Sequence, residues 1–415
     1  MKLKITSLMI GLCLSMPMQA ETEHQHEHEV ALAISANLSL HQVVEKTYQR
    51  NPRLEVIQAR LHHVEALNVK AHSLWESDPA INVTHYNDEL MNSNGLQEWE
   101  VGMQMPLWLP GQKAARQKTA EQEREVVNAS ESALKLEIAG IVRELLWNIA
   151  LTKNRQSVAE KEWEIVQKLE KDVSKRVELG DLAESDSILA QQESLSKEAA
   201  FRIASQEYLH AQHRYEMITG LNQLPESFEE IADDDLSITT DHPALRESYE
   251  KVANSTVQRD QVIIEKRENP SVFIGTRHER GMSSDNFANA IGLSISIPLG
   301  LSSQTTPKLT AAEVNLSENR SQMEILHREL NIAIQDASRE LSSIIGQYDF
   351  AHRQNELSKR NLVMSRKAFS LGESSLLDML RIQAQAFAAE RNMHQKQLEV
   401  GLYTARLNQA KGLIP

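Results

Sequence analysis

The residues best suited to metal chemistry lie near the beginning of the chain, where histidine alternates with glutamate and glutamine. His24, His26 and His28 fall within residues 21–29. Imidazoles combined with carboxylates bind Zn²⁺, Cu²⁺ or Ni²⁺. Two interpretations fit this composition: a polar tail that binds such ions weakly and incidentally, or a tail that belongs to a metal-handling system.

A second set of polar residues follows two glycines. Asp186 comes six residues after Gly180, and Asp378 comes six residues after Gly372. Glycine suits the left-handed residue just beyond a helix, and a carboxylate in the first turn of the next helix complements its positive end. Each stretch therefore predicts a tight turn between two helices.

No other residues form a recognisable catalytic group. His62, His63, His72, His85 and His278 are scattered without ligand spacing, and no nucleophile, base and orienting group occur together. The chain also lacks the Gly-x4-Gly-Lys-Ser/Thr loop that binds nucleotides. Its formal net charge of −14 argues against a nucleic-acid partner, which requires a basic face. We therefore predict a protein that is not an enzyme and binds no cofactor.

The first residues of the chain predict a secretory signal peptide (1–20). Lys2 and Lys4 precede an apolar run at 8–14, as in exported proteins. Cys13, the only cysteine, lies within that run, so the mature chain is expected to contain no disulfide. No later segment approaches 18 continuous apolar residues, the length that indicates a membrane-spanning helix. Any contact with a membrane is therefore expected to use strands.

The rest of the chain contains one unit twice. Gly180 and Gly372 are 192 residues apart, and the Pro-Leu pairs that begin at Pro106 and Pro298 repeat at the same distance. Self-similarity at a fixed period indicates duplicated structure. The predicted organisation is a histidine-rich tail (21–38), a first repeat (39–220), a linker (221–241) and a second repeat (242–415). The linker includes the acidic run 233–235, which we interpret as solvated rather than as a metal site.

Each repeat predicts a very long helix. The stretch from Gln112 to Leu179 contains one glycine and no proline, so it can form a helix about 100 Å long. Lys308 to Leu371 predicts a second helix of about 95 Å. The shorter stretches Pro52–Ser77 and Leu182–Thr219 would lie end to end beside the first long helix. The sequence therefore predicts a rod of helices that turns at the two glycine stretches.

Each repeat also contains two short stretches in which apolar and polar residues alternate. The predicted strands are about 80–87 and 98–107 in the first repeat, and 271–279 and 288–299 in the second. A strand of about ten residues with one wholly apolar face fits the wall of a membrane barrel. The aromatic residues near the strand ends, where aromatic belts lie, are Trp75, Trp99, Trp108 and Phe287. Two hairpins packed on a soluble core are the alternative, because an antiparallel soluble sheet alternates in the same way.

The number of strands predicts an oligomer if the sheet lies in a membrane. One chain supplies four strands, whereas a closed barrel needs about eight or more to leave no unpaired edge. Two chains would supply eight strands and three would supply twelve. A bundle of helices about 100 Å long around a lumen favours three.

The duplicated unit resembles the outer membrane factor (TolC-like) family of Gram-negative bacteria. The paired motifs are Leu179-Gly-Asp-x4-Asp186 and Leu371-Gly-Glu-x4-Asp378, and the resemblance covers Leu40 to Ile414. The stretch Met105-Pro-Leu-Trp-Leu-Pro-Gly-Gln112 further resembles the branch that serves heavy-metal efflux of the cobalt-zinc-cadmium type. The resemblance therefore covers nearly the whole mature chain.

The resemblance implies a mainly α-helical homotrimer in which four strands per chain form a twelve-stranded β-barrel. The barrel would lie in the outer membrane, among its lipids, and continue as a periplasmic helical tunnel. It also implies a passive exit duct of a tripartite pump, with an inner-membrane transporter of the RND type. A periplasmic adaptor (membrane fusion) protein would dock at the helical tips around Gly180 and Gly372.

The resemblance also suggests a gate at the tips. In the family, acidic residues at the second tip form a carboxylate ring. Asp378 matches the first such position, but Arg381 stands at the next one, which puts a double ring in doubt. The alternative is that Asp186 and Asp378 only complement helix N-termini. Heavy-metal cations are the predicted cargo. A duct for drugs or other organic solutes and a soluble periplasmic coiled-coil adaptor or scaffold are the alternatives.

Overall fold

The computed structural model describes residues 32–91, 93–232, 237, 241–300 and 302–415. The predicted signal peptide (1–20), the three histidines of the tail and the acidic run 233–235 lie outside the described residues. The elements are, in chain order, β1 (Ala33–Ser35), α1 (Leu40–Gln49), α2 (Arg53–His72), β2 (Ala80–Asn87), β3 (Gln97–Pro106), α3 (Gln112–Glu178), α4 (Glu184–Thr219), β4 (Gln223–Pro225), α5 (Pro243–Ile264), β5 (Ser271–Arg280), β6 (Ala288–Ser296), α6 (Ser302–Ser370) and α7 (Leu376–Ala410).

The two long helices are present, and the first begins where the sequence predicts. Gly111 has φ of 88°, a left-handed conformation that ends the preceding loop, and α3 starts at the next residue. The start predicted for α6 is wrong: the helix begins at Ser302 and includes Pro307. Pro307 is the sixth residue of α6, so its missing N–H removes the backbone hydrogen bond that would reach the carbonyl of Ser303. Within the described residues, no helix combines the length and the apolar character that crossing a membrane requires.

The helices form a layered arrangement around α3. Helices α2 and α4 pack along one side of α3, as their summed length predicts. Helices α5 and α7 contact both α3 and α6. The order across the layer is therefore α2 with α4, then α3, then α5 with α7, and finally α6. Helix α6 lies at one margin of this layer, and the pair α2 and α4 lies at the other.

The four predicted strands form one antiparallel sheet in the order β2-β3-β5-β6. Val83, Val101, Thr276 and Ile291 are paired in one row, because the register aligns them across all four strands. Neighbouring rows on this face contain further apolar residues, whereas Glu100 lies on the opposite face, as alternation along a strand requires. The described residues supply no partner for the outer edges of β2 and β6.

The polar face of the sheet contains a row of glycines. Gly102, Gly275 and Gly292 are paired with one another across β3, β5 and β6. A Cβ atom added to Gly102 would lie 2.4 Å from the ring of Phe273, and one on Gly275 would lie 2.7 Å from it. Gly292 has no atom within 4 Å of that position. The phenyl ring therefore occupies space that side chains would otherwise fill.

The segment predicted as a solvated linker contributes to the core, so the prediction is wrong for its first half. Strand β4 pairs in parallel with β1, which lies in the predicted tail, and Leu224 is buried. Further along, Glu230 forms two hydrogen bonds, of 2.6 and 2.7 Å, with the guanidinium of Arg143. This arginine is 3% exposed and also donates to Gln409 Oε1 at 2.6 Å. The linker is therefore fixed against α3 near the middle of the rod.

Candidate functional site

The first helical tip is built as the glycine pattern predicts. Gly180 has φ of 82°, and the N–H of Asp181 donates to the carbonyl of Arg176 at 2.9 Å. This bond is the 6→1 contact of a glycine-terminated helix. The carboxylate of Asp186 then accepts from the N–H of Ala183 at 3.3 Å. Asp186 therefore completes the start of α4.

The second tip repeats this geometry with one additional cap. Gly372 has φ of 75°, and the N–H of Glu373 donates to the carbonyl of Ala368 at 2.9 Å. The Ser375 hydroxyl donates to the carboxylate of Asp378 at 2.7 Å and accepts from the backbone N–H of Asp378 at 3.1 Å. Both predicted carboxylates thus cap helices, and both glycines occupy left-handed positions that a side chain would strain.

Capping leaves the acidic groups at the surface of the tip. The Asp378 side chain is exposed, and Arg381 is exposed one turn further along α7. Within the described part of the chain, Arg381 forms no ion pair. Leu179, Leu371 and Leu377 are also exposed, each by more than 60%. The tips therefore present apolar side chains beside carboxylates.

A small apolar cluster behind the tips joins two pairs of helices, α3 with α4 and α6 with α7. Val173 of α3, Ala190 of α4, Phe369 of α6 and Met379 of α7 are buried together. The guanidinium of Arg176 lies 5.2 Å from the ring of Phe369, within the range of a cation–π contact. The tips of one chain therefore pack as a single unit.

A buried carboxylate on α3 also connects the two repeats, and the sequence analysis did not identify it. Glu162 forms an ion pair with Arg391 of α7 and lies 3.4 Å from Lys197 of α4. In a separate contact, Arg366 of α6 donates to Gln383 of α7 at 3.2 Å, and burial lowers the pKa of Arg366. These partners come from four helices, so no spacing along the chain indicates them.

The junction between strands and helices contains a second set of contacts across the repeats. The side-chain amides of Gln112 and Asn269 exchange hydrogen bonds of 2.8 and 2.7 Å. Arg116 bridges Glu76 at 2.9 Å and Glu265 at 2.7 Å. Because Gln112 is only 1% exposed, the paired amides satisfy polar groups that burial would otherwise penalise.

The residues of the tail that are predicted to bind metal, His24, His26 and His28, lie outside the described part of the chain. Among the described residues, no three histidine, cysteine, aspartate or glutamate side chains are grouped so that they could hold a metal ion.

Comparisons with solved structures identify the fold. The chain matches the outer membrane protein VceC from Vibrio cholerae with a TM-score of 0.71 and 16% identity, over 90% of this chain and 96% of that one. It matches the CmeC outer membrane channel of Campylobacter jejuni with a TM-score of 0.70 and 14% identity, over 98% and 94% of the two chains. The MtrE outer membrane channel of Neisseria gonorrhoeae, in its open state, matches with a TM-score of 0.69 and 17% identity, over 95% and 94%.

These matches show that the chain has the fold of outer membrane channel proteins. No known family profile and no curated protein sequence matches the chain. The fold that the resemblance implied is therefore confirmed for the single chain.

Proposed function

We propose that three copies of the chain form an efflux duct, with a twelve-stranded barrel in the outer membrane and a helical tunnel in the periplasm. The observation that carries the proposal is that the sheet and the helical layer are both open at matching margins. Strand β2 follows α2 at one margin, and β6 leads into α6 at the other. The fold shared with outer membrane channels supports the same assembly.

The sheet requires a partner if it lies in lipid. An unpaired backbone N–H or carbonyl in the hydrocarbon costs several kcal/mol, so an open edge is unstable there. Pairing β6 of one copy with β2 of the next removes both edges. Three copies supply twelve strands, a number within the range of known membrane barrels.

The helical layer exposes apolar side chains at the same two margins. Helix α6 exposes the large apolar residues Val314, Ile325, Ile332, Ile345, Phe350, Leu357, Val363 and Met364. The opposite margin, formed by α2 and α4, exposes Val56, Val69, Ile188, Leu195, Ile203 and Met217. Apolar surface of this extent indicates a protein interface. We infer that α6 of one copy packs on α2 and α4 of the next.

The duplication predicts one contact between neighbouring copies. Within one chain, Gln112 of the first repeat binds Asn269 of the second. In the other repeat, Gln304 corresponds to Gln112, and Asp78, which also precedes a proline, corresponds to Asn269. Both side chains are exposed. In the assembly, the amide of Gln304 would donate to the carboxylate of Asp78 in a neighbouring copy.

Cysteine cross-linking tests this contact. Asp78→Cys combined with Gln304→Cys, treated with a short thiol-reactive cross-linker, is expected to give covalent trimers on a denaturing gel. Gln112→Cys combined with Asn269→Cys is the matched control, because it links positions within one chain and leaves the chain monomeric on the gel. A double variant that yields only dimers would contradict the trimer. A water-soluble, unassociated chain would favour the scaffold alternative.

The tips are the proposed docking and gating region. Exposed Leu179, Leu371 and Leu377 beside carboxylates fit a periplasmic adaptor protein, and an inner-membrane RND transporter would supply the energy. Around the axis of a trimer, three copies of Asp378 would repel one another and narrow the entrance unless cations bind. Asp378→Ala is then expected to raise conductance in planar bilayers, and unchanged conductance would remove the gate assignment.

Metal cations are the proposed cargo. The support is the stretch from Met105 to Gln112, which resembles the heavy-metal branch, together with the histidine-rich tail. A deletion strain is expected to become sensitive to one or more of zinc, cobalt, cadmium, nickel, copper and silver. Sensitivity to antibiotics alone would instead favour the duct for organic solutes.

A further inference from the structure

One row of the apolar face differs from the rows beside it. His85, Trp99, His278 and Asn289 are paired across β2, β3, β5 and β6. The His85 and Trp99 rings stack with centroids 4.0 Å apart, and His278 Nδ1 lies 2.6 Å from Asn289 Oδ1. The next row towards the helices contains Val83, Val101, Thr276 and Ile291. Apolar surface therefore ends at this row, on the side of the strand turns.

A cation for which the described residues supply no carboxylate partner lies immediately beyond that row. Arg280, the last residue of β5, is two residues from His278 and therefore on the same face. Its guanidinium lies 4.9 Å from the ring of Phe287, which stacks on His278 with centroids 4.2 Å apart. Arg280 Nε is buried without a hydrogen-bond partner, and no described carboxylate forms an ion pair with this arginine.

The arginine on the other face of the same strand has carboxylate partners. Arg277 approaches Glu98 to 2.6 Å and Glu279 to 3.5 Å, so its charge is neutralised on the polar side of the sheet. The two arginines are three residues apart, on opposite faces of β5. Of these two arginines, Arg280 is the one that lies at the border of the apolar face and has no carboxylate partner among the described residues.

We propose that Arg280, whose guanidinium lies against the Phe287 ring, binds the phosphate of lipid headgroups in the membrane leaflet nearest the strand turns. The inference depends on the proposed function, because it requires the apolar face to contact lipid. Aromatic rings lie at the level where hydrocarbon meets headgroups, and a guanidinium just beyond them reaches the anionic layer. Arginine suits this role because its planar N–H groups match phosphate oxygens in pairs.

The partner is a lipid rather than a soluble phosphate because of what adjoins the arginine. Continuous apolar residues extend from this row towards the helices, so acyl chains can lie against them while the headgroup meets the cation. A free phosphate ion would gain only the electrostatic contact. The site therefore favours ligands that carry both a phosphate and acyl chains.

Retention of a phosphate lipid tests the proposal on the full-length assembled protein. The protein is reconstituted in phosphatidylcholine nanodiscs containing a minor fraction of phosphatidic acid, and bound lipids are counted by native mass spectrometry. Arg280→Gln is expected to weaken retention of phosphatidic acid about tenfold, the scale of losing a charge-assisted hydrogen bond. Arg280→Lys is expected to retain part of the binding.

The matched control is Arg277→Gln, which removes the same charge from the opposite face and should leave lipid retention unchanged. Equal losses in Arg277→Gln and Arg280→Gln, or no loss in either, would overturn the lipid site. Conductance in pure phosphatidylcholine is measured for all variants and should be preserved. Failure of the unaltered protein to insert or conduct would instead count against the proposed function.

Discussion

The long helices α3 and α6 come from the same repeated unit, yet they have different surroundings. Among the described side chains, α3 exposes one large apolar residue, Ile141, whereas α6 exposes eight. Among the described helices, α3 has neighbours on two sides, whereas α6 packs against α5 and α7 only. The difference indicates that burial depends on position in the layer rather than on the repeat, and that α6 lacks a neighbour which another copy can supply.

Removal of one polar partner in the buried surroundings of α3 is expected to cost more stability than removal of an exposed one. Arg143→Ala removes the cation that binds Glu230 and leaves a poorly solvated carboxylate, so we expect a loss of about 3–5 kcal/mol in unfolding free energy. The control is Arg406→Ala, which breaks a pair with Glu144 that is about half exposed and should cost less than about 1 kcal/mol. Urea unfolding in detergent measures both. Similar losses would mean that α3 is not the buried centre.

The next effect concerns the apolar margin of α6. Phe350 is 73% exposed in the single chain, so Phe350→Asp should leave chain folding intact. It should weaken association by about 2–4 kcal/mol per contact, as expected for an aromatic residue central to an interface. Analytical ultracentrifugation in detergent measures association. The contrasting variant, Val142→Asp, places a charge at a fully buried site of α3 and should prevent folding itself.

Two glycines in the helices of the second repeat have different surroundings. A Cβ on Gly401 of α7 would lie 2.0 Å from the Trp147 ring of α3, so Gly401→Ala should cost about 1–3 kcal/mol. Gly346 of α6 has no atom within 4 Å of its Cβ position, so Gly346→Ala should stabilise the chain by up to about 1 kcal/mol. Thermal unfolding of the unassembled chain distinguishes them. A destabilised Gly346→Ala chain would show that α6 is already covered.

A weak dependence of folding stability on pH is expected from His242 in the second repeat. His242 precedes α5 and packs against Gly412, whereas the exposed Arg50 contacts Gly220 in the first repeat. Burial lowers the pKa of His242, although a backbone contact with Ala410 opposes the shift. The folded chain therefore resists protonation that the unfolded chain accepts. Stability should be fully present above a pH of about 6.5 and decrease below it.

The measurement is thermal unfolding between neutral and mildly acidic pH. His242→Phe should flatten the dependence in this window. Glu247 contributes at lower pH only: burial alone would raise its pKa, but hydrogen bonds from Lys251 and Ser130 lower it. An unchanged slope in His242→Phe would assign the sensitivity elsewhere.

Local sequence signals predict the repeated elements well because each has a local cause. Proline and glycine bound the start of α3, Gly180 and Gly372 end the long helices, and alternation identifies β2 and β3. Pro307 misleads, because a proline in the second turn normally ends or kinks a helix, yet α6 includes it. The wider organisation is predictable where the duplication repeats these signals.

Contacts between distant segments are not predictable from such signals. Strands β1 and β4 have three residues each and pair in parallel across almost the whole first repeat, so neither shows an alternating pattern. Glu162 and Arg391 meet because of how α3 and α7 are rotated against each other, and only the folded chain determines that. The capping roles of Asp186 and Asp378 are local, and the sequence predicts them. The gate proposed for Asp378 would depend on further copies of the chain.

The glycine row on the polar face has a mechanical consequence. When a sheet bends into a cylinder, side chains on its concave surface crowd together, and residues without a Cβ atom relieve that crowding. Gly102, Gly275 and Gly292 place this relief at one height across three strands, and the Phe273 ring covers two of them. In the proposed barrel, the wall would curve most sharply at that level, so the smallest residues of the sheet would set the radius of the pore.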